Sequence, residues 1–314
     1  MKTILSNMWL LAAVGGLAAC STPQAPKAPS SLSKPAAAAS ASSAASVRPR
    51  APVHVRIGLA LGGGAAKGFA HIGVIRVLEA NGIVADLVTG TSAGSVVGSL
   101  YASGLNGNEL MKRAIRLDET NLTDFTLSTR GFIKGQKLAD FINAQVGNRP
   151  LEKLAKPFGA VATELDSGRR VVFRLGNTGQ AVRASASIPN VFLPTVIAGK
   201  RYVDGGLVSP VPVSAAREMG ADFVIAVDIS ARPRAGSATG YLSILDQSVN
   251  IMSVAALAQE LKQADVVIRP QVQNIGSTAF DSRREAIAAG EKAALQAVPV
   301  IRSLLLQKEQ AMAR

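Results

Sequence analysis

Cysteine is nearly absent from this chain: 314 residues contain one, Cys20. A lone cysteine excludes an intramolecular disulfide, a thiolate zinc site and an iron–sulfur cluster. Histidine is almost as scarce. His54 and His71 are the only two, which excludes a His-rich metal centre and leaves a histidine base few positions. No apolar run reaches the ~18–20 residues that a membrane-spanning helix needs, so the sequence does not read as a polytopic membrane protein. Aromatic residues make up only 4% of the chain. The apolar content is instead Ala, Val, Leu and Ile spread along its length, as in a buried α/β core.

What is present begins with an address. Lys2 precedes an apolar stretch over residues 8–19, and small residues lead into Cys20. A charged start, a short hydrophobic region and a small-residue cleavage site describe a secretory signal peptide. Leu17-Ala18-Ala19-Cys20 resembles the lipobox of bacterial lipoproteins, in which the cysteine becomes the lipidated first residue. The alternative is an ordinary signal peptide with a cysteine nearby. Ser21, where inner-membrane retention signals usually carry Asp, tilts the expectation toward the outer membrane, facing the periplasm. Residues 20–54 are then Pro, Ala, Ser and basic residues without an acid. Such a segment cannot bury enough surface to offset its ordering entropy and reads as a disordered tether with a coil span of about 30–35 Å. Three parts are therefore expected: a leader over 1–19, a lipidated cysteine and tether over 20–54, and one folded domain over 55–314.

Within that domain the pattern predicts strands over 55–61, 85–89, 158–164, 170–174, 201–203 and 223–229. Helices are predicted over 69–80, 92–103, 136–146, 213–219, 242–264 and 282–306, with Asn108 capping a further helix through residue 117 and Pro299 breaking the last one. Alternating strands and helices predict a three-layer α/β/α sandwich with a largely parallel sheet.

Three glycine-bearing motifs carry the chemistry. Gly90-Thr91-Ser92-Ala93-Gly94 falls between a predicted strand and a predicted helix, where a sharp turn would push the Ser92 hydroxyl toward a substrate. A glycine-rich turn whose serine merely caps the next helix is the competing reading. Gly62-Gly63-Gly64-Ala65-Ala66-Lys67-Gly68 lets backbone N–H groups converge on an anion. A phosphate loop needs Ser or Thr after the lysine, and a dinucleotide fingerprint needs glycine where Lys67 stands. An oxyanion hole built from Gly62, Gly63 and Gly64 fits better, with Lys67 read as a surface charge at the helix start. Asp204-Gly205-Gly206 ends a predicted strand and supplies a carboxylate candidate for the base, although Asp-Gly is also an ordinary hairpin turn. His71 reads as a helix-packing residue, and Asp166 as a turn between two strands.

Together these motifs resemble the patatin-like phospholipase family. The similarity extends through His71-Ile72-Gly73-Val74-Ile75, Leu78-Glu79, Gly131-Phe132-Ile133-Lys134-Gly135, Ala162-Thr163-Glu164-Leu165 and Ser185-Ala186-Ser187-Ile188-Pro189, and covers residues 56 to about 295. The resemblance implies Ser92 as nucleophile, Asp204 as its dyad partner without a histidine, and Gly62 to Gly64 as oxyanion hole. It also implies calcium-independent acyl hydrolysis of phospholipids or lysophospholipids, with no cofactor or metal. A lipid-binding protein that keeps the fold without turnover, and a nucleotide-binding oxidoreductase, are the competing classes.

The charge is uneven. The chain carries a net +13, and residues 112–201 hold 15 basic against 7 acidic residues. That excess does not form a general basic surface suited to nucleic acid. It is expected instead to face anionic headgroups, with Arg169, Arg170, Lys200 and Arg201 as its members to test.

Overall fold

A computed structural model describes residues 54–117, 135–232 and 240–314. The leader, Cys20, the tether up to residue 53 and the motif over 131–135, apart from Gly135, lie outside the described residues.

Eight strands form one sheet: β1 (Ile57–Leu61), β2 (Leu87–Thr91), β3 (Phe158–Glu164), β4 (Arg170–Phe173), β5 (Thr195–Ile197), β6 (Lys200–Asp204), β7 (Phe223–Val227) and β8 (Val266–Ile268). β1 lies parallel between β2 and β7, and β3 and β8 continue the parallel part on either side. β4, β5 and β6 are antiparallel additions. Side chains alternate between two cores, as the two-residue period of a strand requires. Leu59, Leu61, Val88, Phe223, Ile225 and Val227 enter one core, while Ala60, Leu87, Val224 and Ala226 enter the other.

Over the first core pack α1 (Ala70–Ala80), α2 (Ala93–Ala102), α3 (Gly107–Arg116), α4 (Gln136–Gln145), α5 (Thr178–Ser185) and α8 (Arg283–Ala313). The opposite face is covered by α6 (Val213–Glu218) and α7 (Tyr241–Leu261). The three-layer α/β/α sandwich expected from the sequence is therefore the architecture. Glycines let α1 and α8 touch backbone to backbone: a Cβ on Gly73 would lie 2.0 Å from the Ile287 carbonyl oxygen, and one on Gly290 2.0 Å from that of Ala70.

Helices α3 and α8 differ from expectation, α8 running to Ala313, beyond the predicted end at residue 306. Asn106, not Asn108, caps α3. Its side chain accepts from the Glu109 amide at 3.0 Å while Glu109 accepts from the Asn106 amide at 2.8 Å, a capping box. Asn108 sits inside the helix and accepts from Arg76 Nε at 2.9 Å. Pro299 does not break the last helix but lies within α8. Leu295, whose carbonyl loses its partner to the proline, is 58% exposed and open to water. The short strands β5 and β8 and the helix α5 are additions to the predicted elements.

The β3 register brings the site together. β4 pairs with Ala160 through Thr163 along one edge of β3. Along the other edge, β2 pairs as far as Thr91 with Val161, and β6 arrives from the opposite direction to pair Asp204 with Ala162. β2 and β6 thus meet end to end on one edge, and Ser92 and Asp204 fall at the joint.

Candidate active site

Ser92 sits at the turn from β2 into α2, with φ 53 and ψ −122. A positive φ on a non-glycine residue costs about 1–3 kcal/mol and persists only where its surroundings impose it. Here they do. A Cβ on Gly90 would meet the Gly94 carbonyl oxygen at 2.4 Å, and one on Gly94 would meet that of Leu61 at 2.1 Å. Gly90 thus lets β2 meet the first turn of α2, and Gly94 lets that turn press against the end of β1. The Ser92 amide donates to Ser185 Oγ at 2.9 Å, and that hydroxyl donates to the Val161 carbonyl at 2.5 Å. Thr91 Oγ1 donates to the Ser209 carbonyl at 2.8 Å, fixing the strand end.

Asp204 is buried, with the Ser92 hydroxyl within hydrogen-bonding reach of its carboxylate. Its Oδ1 accepts from the Gly206 amide at 2.7 Å. Thr163 Oγ1 donates to its carbonyl at 2.8 Å, and its amide donates to the Ser187 carbonyl at 2.9 Å. Gly205 permits this placement, since a Cβ there would lie 2.2 Å from the Val161 carbonyl oxygen. Burial raises the carboxyl pKa from 3.8 to about 6, against the opposing pull of the Ser92 and Gly206 hydrogen bonds. The group is still ionised at neutral pH.

The glycine loop divides its amides. Gly62 donates to the Val227 carbonyl at 3.1 Å and Gly63 to the Pro210 carbonyl at 2.9 Å. Those two N–H groups are engaged in holding the loop to the sheet, a correction to the expectation that Gly62, Gly63 and Gly64 all donate to an anion. Among the described residues, no backbone acceptor engages the amides of Gly64 and Ala65. Ala65 has φ 51, a strained turn that no residue type in the motif marks. Gly63 lies against Ser92, a Cβ there falling 3.3 Å from Ser92 Cβ. The start of α2 adds first-turn N–H groups, including that of Ala93, and its positive end.

His71 is buried and braces the loop, Nε2 donating to the Gly62 carbonyl at 2.8 Å. Burial lowers its pKa to about 4, so it stays neutral. This is the packing role expected for it. Lys67 departs from expectation: at 5% exposure it is buried, not a surface charge. Asp166 is exposed and pairs with Arg201, away from Ser92.

In front of Ser92 opens a cavity of about 160 Å³ walled by Phe69, Val97, Leu138, Phe141, Phe192 and Phe280, with Ala65 and Ala93 at the serine end. Among the described residues, no charged side chain lines it. Such walls suit a hydrocarbon chain. Among the described residues, no group of three His, Cys, Asp or Glu converges as a metal site would require. Each of the four basic residues named for the headgroup-facing segment has an acidic neighbour, Glu164 being shared by two. Arg169 and Lys200 pair with Glu164, Arg170 with Glu218 and Arg201 with Asp166.

A strained serine at a strand-to-helix elbow, beside a buried carboxylate in an α/β/α sandwich, is the arrangement of a candidate nucleophile and base on an α/β scaffold. Comparison with known proteins carries this further. The family model for patatin-like phospholipase matches residues 59–217, which include the glycine loop, the elbow and Asp204. An uncharacterised NTE family protein of Mycobacterium tuberculosis is 36% identical over 187 residues, covering 59% of this chain and 52% of that protein. Lysophospholipase NTE1 of Meyerozyma guilliermondii is 32% identical over 179 residues, covering 55% of this chain and 12% of that one. Among solved structures, VipD of Legionella pneumophila shares the fold with a TM-score of 0.54 and 16% identity, over 78% of this chain and 66% of VipD. The chain spans about half the length of the mycobacterial relative. It belongs to the patatin-like phospholipase family.

Proposed function

We propose that the chain is a lipid acyl hydrolase that cleaves a carboxylic ester of a phospholipid or lysophospholipid through an acyl-enzyme on Ser92. The observation that carries this reading is the strained Ser92 within reach of the buried Asp204 carboxylate at the mouth of an apolar cavity. Membership of the family, and the lysophospholipase among the relatives, support the substrate class.

In this mechanism the Asp204 carboxylate accepts the Ser92 proton as Oγ attacks the ester carbonyl carbon. The carbonyl electron pair moves onto oxygen, which receives hydrogen bonds from the Gly64, Ala65 and Ala93 amides, each well-placed donor being worth about 3–4 kcal/mol. Collapse expels the alcohol, which takes the proton from Asp204 and leaves the acyl group on Ser92. Water then attacks with Asp204 again as base, and the fatty acid departs as the serine recovers its proton. The backbone amides supply the electrophilic stabilisation. We further propose that residues 1–19 are a lipoprotein leader, that Cys20 carries the lipid, and that residues 20–54 tether the domain to a bacterial membrane on its periplasmic side, the outer membrane by the Ser21 criterion.

A fluorophosphonate probe followed by mass spectrometry tests the reaction. Labelling is expected at Ser92 alone and is lost in Ser92→Ala, with a panel of phospholipids, lysophospholipids and short-chain esters showing the same dependence. Lipid binding without any labelling or turnover would establish the non-catalytic reading instead.

A further inference from the structure

We propose that Glu260, in the last turn of α7, is a positioning residue for the reaction: it clamps a strap over residues 209–212 to which both the nucleophile elbow and the glycine loop are tied. Its effect on turnover rests on the lipid hydrolase reading, whereas the clamp itself rests on hydrogen bonds alone.

The strap runs from the turn Gly205–Leu207, which follows Asp204, to α6, and it belongs to neither a helix nor a strand. Pro210 and Pro212 have no N–H, so the strap has few donors of its own to tie it down. Its carbonyls are used instead. That of Ser209 accepts from Thr91 Oγ1 at 2.8 Å, that of Pro210 from the Gly63 amide at 2.9 Å, and that of Pro212 from Thr89 Oγ1 at 2.8 Å. The Ser209 amide donates to the Gly205 carbonyl at 2.8 Å. One short piece of chain thus bonds to the end of β2, to the glycine loop and to the turn after the base. Val211 adds packing, since a Cβ on Gly62 would lie 2.8 Å from its Cγ2.

One side chain closes both ends of this strap. Glu260 Oε1 accepts from Ser209 Oγ and, at 2.8 Å, from Ser214 Oγ, while Oε2 accepts from the Ser214 amide at 2.7 Å. Ser209 begins the strap, and Ser214 lies in the first turn of α6 just beyond it. α7 also packs against the turn Gly205–Leu207. Glu260 is 6% exposed, so water does not compete for these bonds.

Burial and position both make an acidic side chain costly here. It is removed from water, and it stands in the last turn of α7, where the helix dipole disfavours negative charge. Its link to a cation is indirect: Arg170 Nη1 donates to Ser214 Oγ at 2.6 Å, and that hydroxyl donates to Glu260. An apolar side chain would fill the same space at less cost. What the carboxyl group adds is direction, because its two oxygens fix the two ends of the strap relative to each other. Releasing them frees the strap to shift, and the strap carries Thr91, the residue before Ser92, together with Gly63, which lies against Ser92. A displacement of about 1 Å at reacting groups costs up to about a hundredfold in rate.

The test uses the full chain with Glu260→Gln, Ser209→Ala or Thr91→Val, and a soluble short-chain ester, turnover being counted per fluorophosphonate-titrated site. Glutamine keeps one acceptor oxygen but turns an NH2 group toward the Ser214 amide. Ser209→Ala removes the hydroxyl link and leaves the strap backbone in place, and it carries the same test should Glu260→Gln fail to fold. Thr91→Val breaks the bond through which the strap holds the elbow. Each variant is expected to lower kcat by about tenfold or more, with KM within about twofold of wild type. Glu260→Gln combined with Thr91→Val should be no slower than the slower single variant, because both act through one chain of contacts. Hydrogen exchange at the Gly63 amide should quicken by about tenfold or more in Glu260→Gln and Ser209→Ala, while the amides of β7 exchange as in wild type. Unchanged kcat in an active enzyme, additive losses in the combined variant, or unchanged exchange at Gly63 would overturn the proposal. So would exchange that quickens equally in β7, since Glu260 would then hold the fold and not the site. A wild type that neither labels nor turns over, with Gly63 exchange still quickened by Glu260→Gln, would refute the hydrolase reading and leave the clamp standing.

Discussion

Asp204→Asn should abolish activity and stabilise the fold, and the stabilisation should depend on pH. The side chain is buried, and its pKa rises from 3.8 to about 6 because desolvation penalises the ionised form. Below about pH 4 the carboxyl is protonated in both folded and unfolded chains and contributes no difference. Between about pH 4 and 6 the folded state retains a proton that the unfolded chain releases, so stability falls as pH rises. Above pH 6 the full cost is present. At about 1.4 kcal/mol per unit it amounts to about 3 kcal/mol. Asparagine keeps the acceptor for the Gly206 amide and a polar group toward Ser92, without the charge. Urea unfolding of wild type and variant should therefore coincide near pH 4 and separate by about 3 kcal/mol at pH 8, the variant being the more stable. In the wild type, kcat/KM should fall below about pH 6 as the base becomes protonated. Equal stability of the two proteins at pH 4 and pH 8 would refute the claim that Asp204 is held as a desolvated carboxylate.

His71 should act in the opposite sense: its pKa falls to about 4 on burial, so stability should drop as pH falls from about 6.5 to 4. His71→Gln should flatten that slope in the same urea titration. Gly94→Ala would place a Cβ 2.1 Å from the Leu61 carbonyl oxygen, and thermal melting should show loss of the folded state. Gly206→Ala meets only the Asp204 carboxylate, at 3.0 Å; it should melt within a few degrees of wild type yet lose at least about tenfold in kcat, because the base is displaced.

The elements that positioned the site were mostly legible. β3 occupies the predicted residues 158–164, and the strand-to-helix turn at Ser92 was marked by glycines whose close contacts leave no alternative. Patterning predicted the sandwich because the strands are buried on both faces and alternate between two cores. What escaped the sequence was set by distant partners. β5 and β8 have three residues each, too few for a period to register. The division of the glycine-loop amides depends on the carbonyls of Val227 and Pro210, far away in the chain. Lys67 reads as a surface charge in the motif but is buried in the fold. The Asn106 capping box was legible, since Glu109 stands three residues on, but Asn108 offered a competing cap two residues later.

The meeting of Ser92 and Asp204 shows why motif and register are both needed. Each motif alone has an ordinary structural explanation, a capped helix or an Asp-Gly turn. The joint on β3 removes that ambiguity, because Val161 and Ala162 are neighbours that pair with Thr91 and Asp204 respectively. A one-residue slip of β6 would turn Asp204 to the other face of the sheet. The register is held by the Asp204 backbone bonds to Ser187 and Thr163 and by the close approach of Gly205 to Val161. Ser92 strain and Asp204 burial both oppose folding. They are retained at one point where three segments, the ends of β2 and β6 and the Ser185 hydroxyl, fix the geometry independently of the reaction. A site built this way begins with its base desolvated and its nucleophile already turned outward, so little rearrangement is left to accompany the chemical step.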